Sequence, residues 1–239
     1  VSLGTEGEGI TLVYIDSTIG WRSIQDNDFA TVGSNFIEAS GGTETTVCTN
    51  FKVHTFTGPG TFTVTKSGSP AGSDTVSYMV VAGGGGGSSA APSSSGAGGS
   101  GAGGFREGLG LNDSYTGSPL RNPTGIPVSV QAYPITVGGG GAAGTTAPTP
   151  NSVLRGAKGS DSIFSTITST GGGRGGAADC APSGPGGPSA EPGGSGGGIG
   201  NFSGSPGATL GAGNTPPVSP PQGNPGGING AAGGVYPTG

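Results

Sequence analysis

Gly171-Gly-Gly-Arg-Gly-Gly176, continued by Pro182-Ser-Gly-Pro-Gly-Gly-Pro-Ser-Ala-Glu-Pro-Gly-Gly-Ser-Gly-Gly-Gly198, is the stretch on which the fold turns. No α-helix or ordinary sheet tolerates such a run. Glycine loses the most backbone entropy on folding and brings no side chain to pack. Proline cannot donate to a sheet ladder or sit inside a helix. Two outcomes remain: disorder, or extended left-handed polyproline II helices of about three residues per turn. Such a helix has no internal hydrogen bonds. A bundle of them bonds laterally, and only glycine lets the backbones come that close. The expectation over this region is a polyglycine/polyproline II helix bundle, essentially free of α-helix.

Glycine and proline content alone favours disorder, but low charge and recurring apolar residues oppose it. Of the 58 glycines, 47 fall after residue 82, a collagen-like share of about one residue in three there. Collagen is excluded, because Gly83–Gly87 followed by Ser88-Ser-Ala-Ala-Pro92 breaks the strict Gly-X-Y frame. Only 9% of residues are charged, too few to keep the segment solvated as a disordered tail. Phe105, Ile126, Val128, Ile163, Phe164, Ile167 and Ile199 recur between the glycine runs.

The first third reads differently. Residues 1–82 form the expected β module, a small sandwich, with 83–239 as the glycine-rich bundle. Ile10-Thr-Leu-Val-Tyr-Ile15 is a β-branched and aromatic run, Asp16 to Gly20 a turn, and Trp21-Arg-Ser-Ile24 resumes extended structure. Phe51 to Thr57, Gly58-Pro-Gly60 and Thr61 to Thr65 spell a hairpin. Phe51, Val53 and Thr55 lie on one face of it, and Lys52, His54 and Phe56 on the other. Val76 to Ala82 reads as a buried strand. Three five-residue segments, Tyr78–Ala82, Tyr133–Val137 and Thr166–Thr170, each run into a run of glycines. Between the runs lie richer inserts at 105–127, 145–161 and 214–224. Loops on a rigid scaffold are where binding usually resides.

The chemistry present is that of a binding protein rather than an enzyme. His54 is the single histidine, no GxSxG elbow places a catalytic serine, and G-x-G-x-x-G matches such as Gly96 to Gly101 lack a strand–turn–helix context. No His/Cys cluster suggests a metal, and no cofactor is expected. Cys48 and Cys180 show no CxxC or framework spacing and read as free thiols, with a disulfide between them as the alternative. A net charge of −5 argues against nucleic acid, and no apolar run is long enough to insert in a membrane. With no initiator Met and no signal-like start at Val1, the chain reads as a processed product or part of something longer. Phe105 and Tyr133 read as cover for the bundle. Tyr115, inside a polar insert, is the better contact residue. The receptor-binding candidates are Arg106, Asn112, Asp113, Tyr115, Arg121, Asn122, Asn151 and Arg155.

Val53-His-Thr-Phe-Thr-Gly-Pro-Gly-Thr-Phe-Thr-Val64, Val76 to Gly87 and Gly103-Gly-Phe-Arg106 resemble the glycine-rich domain of phage tail-fibre and related virion proteins, of marine and cyanobacterial phages especially. Leu12 to Trp21 resembles the segment before that domain. The glycine runs with their inserts are also similar to the tip adhesins of T-even-like phages, in which loops at the end of a polyglycine bundle bind a host outer-membrane protein or glycan. The strand-to-glycine junction further resembles the glycine-rich module of the anaplastic lymphoma kinase ectodomain, whose pattern carries more cysteines. The resemblance implies an extracellular virion protein at the distal part of a tail fibre, which adheres to a host cell surface and contacts other tail proteins. It also implies a homotrimer, with the threefold contacts in residues 1–82, where a small core favours assembly. The alternative is a purely structural fibre or filament with no receptor site. If the backbones pack side by side, valine at Gly140 or Gly172 is expected to break the bundle.

Overall fold

The structure is a computed structural model of the chain; it describes residues 12–14, 21–23, 36–48, 51–68, 73–89, 96–110, 113, 115–145, 155–177, 189–200 and 208–228. These residues form an all-β fold of open sheets with no helical residue. β1 (Leu12–Tyr14) and β2 (Trp21–Ser23) are an antiparallel pair. They are followed by β3 (Glu38–Ser40), β4 (Thr43–Val47), β5 (Phe51–Thr55), β6 (Gly60–Lys66), β7 (Thr75–Val76) and β8 (Tyr78–Val81). Past residue 82 come β9 (Phe105–Gly108), β10 (Ile126–Pro127), β11 (Ala132–Thr136), β12 (Ser162–Phe164) and β13 (Ile167–Ser169).

The largest sheet has five strands in the order β13-β12-β11-β6-β3, all neighbours antiparallel. β6 lies between β11 and β3 and its sequence alternates: Phe62 and Val64 point inward and are buried, and threonines face outward. Pro134 lies in the half of β11 that is flanked by β6 alone, since pairing with β12 begins at Ile135, and a strand proline needs such an open side. β12 and β13 are joined by Ser165 and Thr166, with Ser165 in the left-handed region at φ 53°. Two-stranded ribbons, β8–β9 and β7–β10, complete the core. Phe62, Val64, Tyr133 and Phe164 from the sheet pack with Tyr78, Val80, Ile126 and Val128 from the ribbon segments. The rings of Phe62 and Phe164 meet edge to face at 5.9 Å, and Tyr133 lies 6.1 Å from Phe164. Each large side chain buried here contributes about 1.5–3 kcal/mol.

Four expectations are corrected. A β module followed by a polyproline II helix bundle is not the architecture: strands from both sides of residue 82 share one sheet and one core, and no described residue is helical. The reason lies in Tyr133, Ile135, Phe164 and Ile167, strand formers that the glycine-rich part supplies to the sheet. The hairpin of 51–57 with 61–65 does not form. β5 pairs with β4, while β6 pairs with β3 and β11. Phe56 ends β5 by laying its ring over Gly41, Gly42 and Gly60, which have no side chains to hold it off. Third, β8 is half-buried rather than buried, with Tyr78 and Val80 inward and Met79 and Val81 outward. Fourth, Tyr133 is core but Phe105 is 37% exposed.

β8, β11 and β13 do each lead into a run of glycines, and these runs hold each other by single backbone hydrogen bonds. Gly83 and Gly86 donate to Ser160 and Ala157 at 3.0 and 2.7 Å. Gly98, Gly101 and Gly104 donate to Gly176, Gly173 and Thr170, each at 2.7 Å. Every third residue donates along these antiparallel neighbours. At Gly172 a Cβ would overlap the carbonyl oxygen of Gly101 and crowd that of Ala102. At Gly140 the nearest atom to a Cβ is the Gly84 oxygen, at 3.7 Å, an ordinary contact. The two positions therefore differ. Gly172→Ala is expected to lose about 1–3 kcal/mol, from displaced bonds to Gly83 and Gly159. Gly140→Ala should melt within about 0.5 kcal/mol of the parent, as surface changes do. Thermal unfolding of both variants checks this, and equal melting would show that the built contacts do not govern packing.

Candidate binding site

The insert that follows β9 folds back onto the β8–β9 ribbon. Alternation along β8 puts Ser77, Met79 and Val81 on its outer face, and the register sets Glu107 opposite Met79 and Phe105 opposite Val81. This outer face is apolar at one end. Met79 is 69% exposed and Val81 48%, beside Phe105.

The other end is polar. Ser77 Oγ donates to Asp113 Oδ2 and accepts the Gly110 N–H at 2.7 Å. Tyr115, 46% exposed, lies against Ser77. Partial burial holds its phenol above the ordinary value, with Glu107 and Asp113 adding to the rise and Ser77 and Arg121 opposing it. The ring therefore stays neutral throughout the physiological range. Glu107 Oε2 accepts the Ser118 N–H at 2.8 Å. Asn122 donates its N–H to the Glu107 carbonyl at 2.8 Å and accepts from Leu109 at 3.1 Å, so it runs as a neighbour to β9. Its side-chain oxygen is taken up by Thr124.

Of the residues expected from sequence, Asp113, Tyr115, Arg121 and Asn122 come together here. Arg106 stands opposite Val80 on the inner face of the ribbon. Asn112 and Asn151 lie outside the described residues. Arg155 is elsewhere, at the far end of the glycine segments, beside Arg174 and Glu191. Burial lowers the pKa of its guanidinium, as does Arg174, and Glu191 opposes this. Arg174 Nη2 and Glu191 Oε1 are an ion pair at 2.6 Å. Ser77, Met79 and Val81 were not singled out by sequence as contact residues. Their alternation was the available signal, obscured by reading 76–82 as buried throughout.

The far end of the glycine segments has its own geometry. Ser88 Oγ donates to the Gly175 carbonyl and accepts the Gly156 N–H, at 2.6 and 3.1 Å. Ser89 Oγ donates to Gly144 at 2.8 Å. Gly98 donates to Gly176, which donates to Gly198. Ala190 donates to Thr209. These residues flank 90–95, 146–154, 178–188 and 201–207, and the bonds bring the described flanks together at one end.

The third insert is pinned rather than displayed. Gln222, 3% exposed, accepts the Thr170 N–H at 2.8 Å and donates to Thr170 Oγ1 and the Pro216 carbonyl. Asn214, at φ 51°, accepts from Val218 and Gln222 through its side chain. Gln222→Leu keeps the bulk but strands the buried Thr170 N–H. It is expected to cost about 1–3 kcal/mol in equilibrium denaturation; an unchanged midpoint would show that water replaces the amide.

His54 does not join either region. Its Nδ1 lies 2.8 Å from the Gly41 carbonyl, and its ring meets Phe62 edge-on at 5.1 Å. Cys48 is free and exposed, while Cys180 lies outside the described residues. Among the described residues no group of three or more His, Cys, Asp or Glu is placed to hold a metal, and no helix is long and apolar enough to cross a membrane.

No curated protein and no solved structure matches the chain. A family profile described as a glycine-rich domain matches residues 55–239, well over half the chain. The chain belongs to this glycine-rich domain family.

Proposed function

We propose that the chain is the distal, receptor-binding part of a phage tail fibre, and that it adheres to a host cell surface through segments rooted at the far end of its glycine runs. One observation carries the reading: the flanks of 90–95, 146–154, 178–188 and 201–207 converge at a single end, fixed by backbone hydrogen bonds and by the hydroxyls of Ser88 and Ser89. A scaffold held by its own backbone presents several segments to one target and lets their sequences vary. The resemblance of residues 10–22 and 51–87 to phage tail proteins supplies the setting. The target is an outer-membrane protein or a surface glycan, and the β-sheet end is left for contact with other tail proteins.

The test is saturable binding of the labelled full chain to intact cyanobacterial cells. Exchanging 146–154 and 178–188 for Gly-Ser of equal length is expected to weaken binding by at least about tenfold, or about 1.4 kcal/mol, with melting unchanged. Periodate treatment of the cells removes binding if the target is a glycan, and protease treatment if it is a protein. Binding that survives the exchange would sink the proposal.

A further inference from the structure

We infer that Arg155 and Arg174, at the far end of the glycine runs, hold an oxyanion of an acidic surface glycan, a uronic-acid carboxylate or a sulfate ester. The inference rests on the adhesive reading and names the class of its target. Two runs bring the arginines together. Ser88 Oγ accepts the Gly156 N–H at 3.1 Å and donates to the Gly175 carbonyl at 2.6 Å, so one hydroxyl clamps the residues that follow Arg155 and Arg174. Glu191 joins them from a third run. Its N–H donates to the Arg174 carbonyl at 3.1 Å, and its Oε1 lies 2.6 Å from Arg174 Nη2. Glu191 does not satisfy that guanidinium: among the described residues, Arg174 Nε is buried and meets no acceptor. Burial, and then Arg174, disfavour the charge on Arg155, and Glu191 favours it. Both arginines are half-buried. Like charges held together in partly desolvated positions are what a guanidinium site for an anion requires.

Charge and composition choose the occupant. The chain carries −5, yet residues 144–159 and 174–191 carry Arg155, Lys158 and Arg174 against Asp179 and Glu191. A locally cationic end on an anionic chain favours an anionic target there. That target is a glycan rather than a protein. Protein interfaces are anchored by buried aromatic side chains. The segments 90–95, 146–154, 178–188 and 201–207 contain one aromatic residue, Phe202, and each carries serine, threonine or asparagine. Hydroxyl and amide groups match sugar hydroxyls as both donors and acceptors. The planar guanidinium fork matches the oxygens of a carboxylate or sulfate.

The experiment is binding of the full chain to three immobilised polymers, polygalacturonate, dextran sulfate and neutral dextran, with thermal unfolding as the folding control. Binding to one or both anionic polymers and not to dextran is expected, and the two anionic arms separate carboxylate from sulfate. Added salt should weaken it, because the charges are partly exposed. Arg155→Gln should lower affinity by at least about tenfold. Glu191→Gln removes the competing carboxylate and should raise affinity by about twofold or more, a change of the opposite sign to that of lost structure. Equal retention on dextran, unchanged affinity in Arg155→Gln, or a Glu191→Gln variant that binds no better would each overturn the subsite. A chain that binds cells but neither anionic polymer overturns it as well and leaves the adhesive reading standing. A chain that binds an anionic polymer but not cells overturns the adhesive reading while the anion subsite stands.

Discussion

The structure depends on backbone meeting backbone at a distance that excludes a side chain. Where a Cβ would stand on Gly83, the carbonyl oxygen of Gly139 stands instead, and on Gly172 that of Gly101. Glycine is used here for its missing atom rather than for unusual dihedral angles. Of the described glycines past residue 82, Gly96 alone has a positive φ. The close approach lets single N–H···O bonds of 2.7–3.0 Å link neighbouring runs where no strand ladder exists. Each such bond stabilises by only about 0.5–1.5 kcal/mol. Their number makes the arrangement hold.

That arrangement could not organise itself alone. A glycine run has no side chains with which to choose a register. The register is set at the sheet, where β8, β11 and β13 deliver their runs in fixed positions. Phe62, Tyr133 and Phe164 lock β6, β11 and β12 together by ring packing, and β13 is held in turn by its pairing with β12. Two buried polar groups tie sheet to glycine at the junction: Ser169 Oγ donates to the Val80 carbonyl at 2.7 Å, and Gln222 holds Thr170. Hydrophobic burial thus specifies the arrangement locally, and backbone hydrogen bonding propagates it outward.

Much of this was legible in sequence, and the failures share a cause. The absence of α-helix and the three strand-to-glycine junctions followed from residue type and period. Pairing partners did not. Phe51 to Thr65 looks like a hairpin because its turn residues and alternation are local signals. The partners of β6 lie at residues 38–40 and 132–135, and nothing local announces them. The helical expectation failed likewise, because the few apolar residues past residue 82 were weighed as exceptions within a glycine field. They are what the sheet is built from. At the site, Asp113, Tyr115 and Arg121 belong to one polar insert in the sequence and lie together in the structure. It could not show that Arg155 belongs to the opposite end, because sequence does not reveal which segments run outward and which return.

The glycine runs also dictate where chemistry can be placed. A backbone lattice without side chains has no interior site for a charged or aromatic group. Such groups are therefore pushed to its two ends and outer faces. Tyr115, Glu107, Asp113 and Arg121 occupy one end, and the Arg174–Glu191 pair with Arg155 the other. Because the bonds between runs are made by N–H and C=O groups, replacing a side chain on an outer face of the described runs leaves them in place. A fold stabilised this way tolerates change on its outer faces to a degree that a side-chain-packed core does not.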